Sequence, residues 1–170
     1  MITSPFDLAP DDDANPLDLV EDMVESKGWA ISRSEDDLMI FSVPGTTAVK
    51  FEVCMEWQEE FSALLFACSM PLSIAPEHKE AAAKALEQIN QNLWLGHFDL
   101  SNKNKHPTFR HTMLFRMIPS GIAVDIVQDV VEIAIAECNR FYATFLMVQQ
   151  GDIGLQDNLH AATFETVGEA

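Results

Sequence analysis

The sequence predicts an α+β fold, in which a twisted antiparallel sheet carries helices packed mainly on one face. Four β-rich runs follow one another between residues 29 and 70, separated by short turn sequences, as in successive antiparallel hairpins. Apolar residues recur at helical spacing before and after these runs. The third run alternates apolar with polar residues, which is typical of a sheet with one covered face and one wetter face.

Length and charge restrict what the protein can be. Its 170 residues, 48% of them hydrophobic, suit one globular domain with a buried core. With 27 acidic and 10 basic residues the net charge is −17, which opposes binding to nucleic acid or an anionic membrane. The N-terminus lacks the basic and apolar regions of a secretory signal, and the three cysteines form no CxxC pair. We therefore expect a cytoplasmic protein with reduced thiols.

The chain divides into an acidic tail at 1–14, a domain at 15–150 and a C-terminal tail at 151–170. The domain is expected to open with a helix, because Asn15 is a good N-cap and Pro16 suits the first helical position. Gly28 is expected to end this helix. Its apolar face contains four residues: Leu17, Val20, Met23 and Val24.

Four strands are expected next, in a meander formed by WAISRS, LMIFSV, TTAVKFEVCMEW and FSALLFACSM. Cys54 falls on the wetter face of the third strand, with Lys50, Glu52 and Glu56. The fourth run is apolar on both faces, so it should be central in the sheet.

A second helix is expected to open at Pro76, run to about Leu93 and cover the apolar face of the sheet. Gly96 follows it and is expected to need a positive φ or close packing, so Gly96→Val should cost about 1–3 kcal/mol. A hairpin then spans 97–116, with the sequence SNKNKHP as a solvated tip.

The histidines of this hairpin raise the question of a metal site. His97 and Asp99 could supply two ligands from one strand face, but His106 lies in the tip and the segment contains no compact metal motif. His111 shares an apolar row with Phe109, where a hydrogen-bonded core histidine is the commoner situation. No catalytic motif is present either. We therefore expect no catalytic, cofactor-binding or metal residues, and a protein that is not an enzyme.

The most apolar helix is expected from Ile122 to about Gln150, with a narrow polar stripe and a length of about 42 Å. Part of its surface is predicted to meet a second copy or a client, through Ile126, Val130, Ile133, Phe141 and Phe145. Alternatively the C-terminal tail, with Leu155, Leu159 and Phe164, folds back over it. A homodimer would appear in light scattering at micromolar concentration as twice the chain mass, and a monomer mass would refute it.

The hairpin is locally cationic. Residues 93–116 hold four basic residues and one acidic residue, a net charge of +3, whereas residues 1–37 hold two basic and eleven acidic residues, a net charge of −9. The hairpin is therefore predicted to dock either the acidic N-terminal segment or an acidic client, through Lys103, Lys105, Arg110 and Arg116. The alternative is that Arg110 and Arg116 pair with Glu52 and Glu56 across the sheet.

The block PLSIAPEHKEAAAKALEQINQNLWLGHFDL at 71–100, the strand TFRHTMLFRM and the following apolar helix with Phe141 and Tyr142 resemble the YbjN family, described as bacterial sensory transduction regulators. The resemblance covers roughly residues 15–150, and its pattern maps onto Asn90, Leu95, Gly96 and Phe98. It implies a fold similar to type III secretion chaperones, which are small, acidic and usually dimeric, and it supplies no catalytic residues.

Two functional classes follow. The favoured one is a non-enzymatic protein-binding module, chaperone-like or regulatory, whose exposed apolar surface receives a protein segment. The alternative is a small-ligand, anion or metal-binding module that uses the hairpin at 97–116.

Overall fold

The computed structural model describes residues 15–151, except 47, 102, 104 and 117, and it describes residues 120 and 121 by their backbone alone. The three helices are α1 (Pro16–Ser26), α2 (Lys79–Asn90) and α3 (Ser120–Gln150). The strands are β1 (Ile31–Glu35), β2 (Leu38–Pro44), β3 (Lys50–Gln58), β4 (Ala63–Ser69), β5 (His97–Leu100) and β6 (Pro107–Leu114). Short 3-10 turns occupy Glu59–Phe61 and Pro76–His78.

The six strands form one antiparallel sheet in the order β1-β2-β3-β4-β6-β5. The predicted four-strand meander is confirmed, and so is the hairpin formed by β5 and β6. The hairpin joins the meander through β6, which pairs with β4. Strand β4 therefore lies inside the sheet, as its two apolar faces predicted.

The helices lie on one face of the sheet, which confirms the predicted α+β class. α3 contacts β4 and β6, while α1 contacts the first three strands and α2 contacts β5. On β3 the alternation is clear: Phe51, Val53 and Met55 are buried beneath the helices, whereas Glu52 and Glu56 are exposed on the other face. The core is thus a single layer between helices and sheet, and among the described residues no helix lies over the second face of the sheet.

The first helix begins as predicted. The Oδ1 atom of Asn15 accepts a hydrogen bond from the backbone N–H of Leu17 at 2.9 Å, and Pro16 occupies the first turn. The Nδ2 atom of Asn15 also donates to the carbonyl of Asp36 at 2.8 Å, which fixes the helix start to the turn between β1 and β2.

The second helix differs from the prediction in its extent and in what it covers. Pro76 opens a 3-10 turn and α2 starts only at Lys79, ending at Asn90 rather than near Leu93. α2 lies against β5 and α3, so the middle of the sheet is covered mainly by α3 and not by α2 as predicted.

The structure corrects part of the partner surface predicted on the long helix, for three of its five residues. Val130, Phe141 and Phe145 are buried within the chain itself, while Ile126 and Ile133 are only half-buried. The reason is that α1 and α2 both contact α3 and so cover apolar area that the sequence left without a neighbour. The alternative cover, residues 152–170, lies outside the described residues.

The side-chain amide of Asn90, the last residue of α2, forms two hydrogen bonds with the backbone of the edge strand β5. Asn90 Nδ2 donates to the carbonyl of Phe98 at 3.0 Å, and the backbone N–H of Phe98 donates to Asn90 Oδ1 at 2.7 Å. The amide thus binds the two backbone groups that point away from β6, as a neighbouring strand would. This arrangement gives the conspicuous Asn90 a structural role.

Asn90→Ala is expected to lower the free energy of unfolding by about 1–2 kcal/mol, because it leaves both backbone groups of Phe98 without their partner. Chemical denaturation followed by circular dichroism measures this loss. Asn92→Ala is the matched control, since Asn92 is exposed and its amide only donates to the carbonyl of Gln88 at 2.8 Å. Equal losses in the two variants would contradict the role given to Asn90.

Candidate functional site

The face of the sheet opposite the three helices, called the open face, has none of the described helices over it and is the candidate functional surface. One row of directly paired residues crosses it from one edge strand to the other: Ser32, Ile40, Cys54, Ala67, Arg110 and His97. Ile40, Cys54 and Ala67 are only half-buried. A half-exposed apolar centre on an extended sheet is suited to contact with another molecule.

One end of the open face is apolar. Leu65 lies half-buried between Glu56 and Thr112, its partners in the neighbouring strands. Leu114 pairs with Ala63 and is 63% exposed. Leu65 and Leu114 thus provide apolar area that no other described residue fully covers.

The other end of the open face holds a groove with a volume of about 560 Å³, called the open-face groove below. Its basic lining residues are Lys50 on β3, Arg110 on β6 and Lys103 in the hairpin tip, and Glu52 is its acidic one. The remaining polar and small residues that line it include Cys54, Ala67, Ser69, Ser101, His106 and Thr108. The groove is therefore locally cationic although the chain as a whole carries −17.

Cys54 lies in the groove as a thiol and not as a thiolate. Burial raises the pKa of Cys54, and the neighbouring carboxylates of Glu56 and Glu52 raise it further, while Arg110 acts in the opposite direction. A thiol with a raised pKa is a weak nucleophile at neutral pH. The geometry therefore gives this cysteine a packing role in the groove.

The tip of the hairpin is held by hydrogen bonds, which corrects the prediction of a solvated tip around His106. His106 is half-buried, and its Nδ1 atom donates to the carbonyl of Leu72. The backbone N–H of Ile74 donates to the carbonyl of Lys105 at 3.1 Å, and that of Met70 donates to the carbonyl of Pro107 at 2.9 Å. The segment that follows β4 thus fixes the tip in place.

A second depression, called the side pocket below, lies on another side of the same tip. It has a volume of about 440 Å³ and is lined by Lys79 and Lys105, together with Ile74, Ala75, Pro76 and Leu100. Its lining contains two basic residues and no acidic one. Two cationic depressions therefore flank one loop, with Lys103 in the lining of one and Lys105 in the lining of the other.

The four basic residues predicted to dock a partner do not form one surface. Lys103 and Lys105 are exposed at the tip, but Arg116 lies beyond the far end of β6, a strand about 23 Å long. Arg110 Nε donates to Asp99 Oδ2 at 2.8 Å within the hairpin. The alternative pairing of Arg110 with Glu52 or Glu56 is wrong, because Asp99 sits on the adjacent strand and supplies the nearer carboxylate.

Two residues of this region were missed by sequence reasoning. Lys50 joins the open-face groove from the start of β3, and Lys79 joins the side pocket from the start of α2. The only feature of the sequence that could have drawn attention to these two lysines is that each lies at the start of a strand or helix in a chain with few basic residues. Which other residues they meet depends on strand register and helix placement, which no local pattern shows.

The histidines and Asp99 are distributed over the hairpin without converging. His97 and Asp99 lie on the same face of β5, as predicted, and this is the open face, where His97 pairs with Arg110. His111 is half-buried, and its pKa is lowered by burial and by the proximity of His97. Within the described part of the chain, no three His, Cys, Asp or Glu side chains form a group that could hold a metal ion.

These features define a class of protein: a small two-layer α+β domain with a helix-covered face, an open face, and a cationic tip at one end of it. None of the helices among the described residues combines the length and apolar character needed to cross a membrane.

Residues 16–147 match the model of the YbjN family, "Putative bacterial sensory transduction regulator", and the chain belongs to this family. The resemblance predicted from the Asn90 to Phe98 block is confirmed. A similar solved structure is the crystal structure of YbjN from E. coli, itself called a putative transcription regulator, with a TM-score of 0.51 and 14% identity over 75% of this chain and 91% of that one. At this identity the likeness concerns the fold alone. No curated protein matches the sequence.

Proposed function

We propose that this protein is a non-enzymatic regulatory module that binds a segment of another protein on the open face of its sheet. The observation that supports it best is the sheet itself, since helices cover one face and half-exposed apolar side chains occupy the other. The family's description as a regulator is consistent with this class.

The sheet favours binding on its face rather than at its β5 edge. The backbone groups of Phe98 that face outward from β5 are bound by the Asn90 amide, so a peptide cannot add there as a further strand without displacing it. The open face offers Ile40, Leu65 and Leu114 as apolar contacts next to polar strand residues. A partner segment with apolar side chains fits this surface.

Site-specific photo-crosslinking in bacterial cells tests the proposal. A photoreactive residue at Thr112, which is exposed on the open face beside Leu65, is expected to give a discrete adduct with another protein. The control places the same photoreactive residue at Gln88, which is exposed on α2, and it should give no adduct. Leu114→Asp should weaken the Thr112 adduct, because it places a charge in the apolar end of the open face.

Two outcomes would refute the proposal. One is an adduct pattern that is the same from Thr112 and Gln88. The other is an adduct from Thr112 that is unchanged by Leu114→Asp. Either would show that the open face does not select a partner.

A second candidate function is anion binding at the hairpin, which the cations of the open-face groove and the side pocket favour. The two functions are compatible, because the cationic tip lies at one end of the proposed protein-binding surface. The chaperone-like role, the homodimer and the cytoplasmic location also remain proposals. For the homodimer, the half-buried Ile126 and Ile133 and the 53%-exposed Ile122 are among the apolar residues of α3 that a second copy could contact.

A further inference from the structure

The basic residues of this acidic chain fall into two groups. Five of the ten form ion pairs with carboxylates of the described residues: Lys27, Arg33, Lys84, Arg110 and Arg140. The other five have no ion pair within the described part of the chain: Lys50, Lys79, Lys103, Lys105 and Arg116. All of these except Arg116 line the two depressions at the hairpin tip. Four lysines without a carboxylate partner among the described residues are thus gathered around one loop.

The described backbone on either side of Lys103, at Ser101, Lys105 and His106, is joined by hydrogen bonds within the loop. The backbone N–H of Ser101 donates to the carbonyl of His106, and that of Lys105 donates to the carbonyl of Ser101, both at 2.9 Å. Lys105 has a positive φ of 55°, which a non-glycine residue adopts only when its surroundings fix it. Both backbone polar groups of Lys105 are hydrogen-bonded, to Ser101 and to Ile74, so a ligand that binds this lysine does not have to order its backbone.

We propose that Lys50, Lys79, Lys103 and Lys105 form a docking site for an acidic segment of a partner protein. This inference rests on the proposed function and specifies the chemistry of the partner, which would place acidic residues at the tip and apolar residues along the open face. The evidence is charge complementarity, since these cations lie together in a chain of net charge −17.

The spread of the cations favours an extended peptide over a small anion. A compact phosphate or carboxylate site usually relies on converging donors and often on a bidentate arginine. Here Arg110 is already bound to Asp99, and the lysines lie on two sides of the loop. An extended acidic chain can place successive carboxylates at intervals of about 3.4 Å and so meet several lysines.

The chain's own aspartate run is a poor occupant within the same molecule. Asp11, Asp12 and Asp13 are at most four residues from Asn15, a contour of about 14 Å. Asn15 is bound to Asp36 beside the start of β2, whereas Lys50 pairs with Pro44 at the other end, about 20 Å along the strand. Lys103 lies farther still, at the tip that joins β5 to β6. The aspartate run therefore has little reach toward Lys50 and Lys103, whereas an acidic segment supplied in trans is not limited in this way.

Binding of a fluorescein-labelled peptide of six glutamates to the full-length protein tests the proposal by fluorescence anisotropy. Binding is expected at low salt and should weaken as salt is added, because exposed charges are screened. The double variant Lys103→Glu/Lys105→Glu should bind about tenfold more weakly. Arg110 is left unchanged, since its replacement would break the ion pair with Asp99.

The matched control is Lys27→Glu/Lys84→Glu, which makes the same change in net charge away from the tip and should bind like the parent. Thermal unfolding of each variant verifies that it is folded. Three results would overturn the proposal: no binding of the peptide at low salt, an equal loss in both double variants, or binding of inorganic triphosphate without binding of the peptide. The two proposals can fail separately. If the parent protein does not bind the peptide, but the Thr112 crosslink forms and persists in Lys103→Glu/Lys105→Glu, the open-face proposal stands and this inference fails.

Discussion

Replacement of Phe98 with alanine is expected to lower the free energy of unfolding by about 3–5 kcal/mol, the range for emptying a large aromatic site in a core. The Phe98 side chain is 1% exposed and lies where β5, β6 and α3 meet. Its ring centroid is 5.5 Å from that of Phe109, 5.9 Å from that of Phe141 and 5.6 Å from that of Phe145. Truncation therefore removes three aromatic contacts at once and leaves a cavity between the sheet and the long helix.

Urea unfolding followed by far-ultraviolet circular dichroism measures this loss. Phe61→Ala is the matched control, because the same truncation at a side chain that is 50% exposed should cost less than about 1 kcal/mol. If Phe98→Ala costs no more than Phe61→Ala, Phe98 does not link the hairpin to α3 as described.

The elements of this fold could be predicted because their signals are local. Asn15 and Pro16 specify a helix start from two adjacent residues, and the structure shows the expected cap. The alternation along β3 specifies which side chains face the helices, since successive strand residues point to opposite faces. Neither inference requires knowledge of what lies across the sheet.

The environment of α3 could not be predicted in the same way. Its sequence is apolar over most of its circumference, which is compatible with burial by a second copy, by a tail or by other helices of the chain. The structure shows α1 and α2 against it and places Phe141 and Phe145 in the core. That choice depends on contacts between residues far apart in sequence, and hydrophobic periodicity contains no information about them.

The candidate site shows the same division. Lys103 and Lys105 were found because they are neighbours in a cationic stretch, whereas Lys50 and Lys79 reach the tip only through the pairing of β3 and the position of α2. The hydrogen bonds of His106 and Lys105 were also missed, because their partners Leu72 and Ile74 follow β4. Local composition indicated a solvated tip, which holds for the exposed side chains of Lys103 and Lys105 but not for His106.

Gly96 is a position where local and tertiary constraints coincide, and its replacement is the second large effect expected. Its φ is +65°, a conformation that costs a side-chain-bearing residue about 1–2 kcal/mol. A Cβ atom there would also lie 2.7 Å from the carbonyl oxygen of Arg110 and 2.9 Å from Cε2 of Phe109. Relief of such contacts in a packed core typically costs a further 1–3 kcal/mol or so. Gly96→Ala is therefore expected to lose about 2–5 kcal/mol, and the larger side chain of Gly96→Val at least as much, above the range of about 1–3 kcal/mol that the sequence alone predicts.

Gly28→Ala separates the two causes of this loss, which are the positive φ and the close contacts of an added Cβ atom. Gly28 has nearly the same φ, +68°, but a Cβ atom added to it would have no neighbour within 4 Å, so only the conformational cost of about 1–2 kcal/mol should appear. The excess loss in Gly96→Ala over Gly28→Ala, measured by urea unfolding, then reports the close approach of β5 to β6. A double-mutant cycle with Phe109→Leu should show coupling of about 0.5 kcal/mol or more, because the smaller side chain relieves the ring contact while the Arg110 carbonyl stays in place. Equal losses at the two glycines would mean that Gly96 is required for its φ alone and that β6 can move to admit a methyl group.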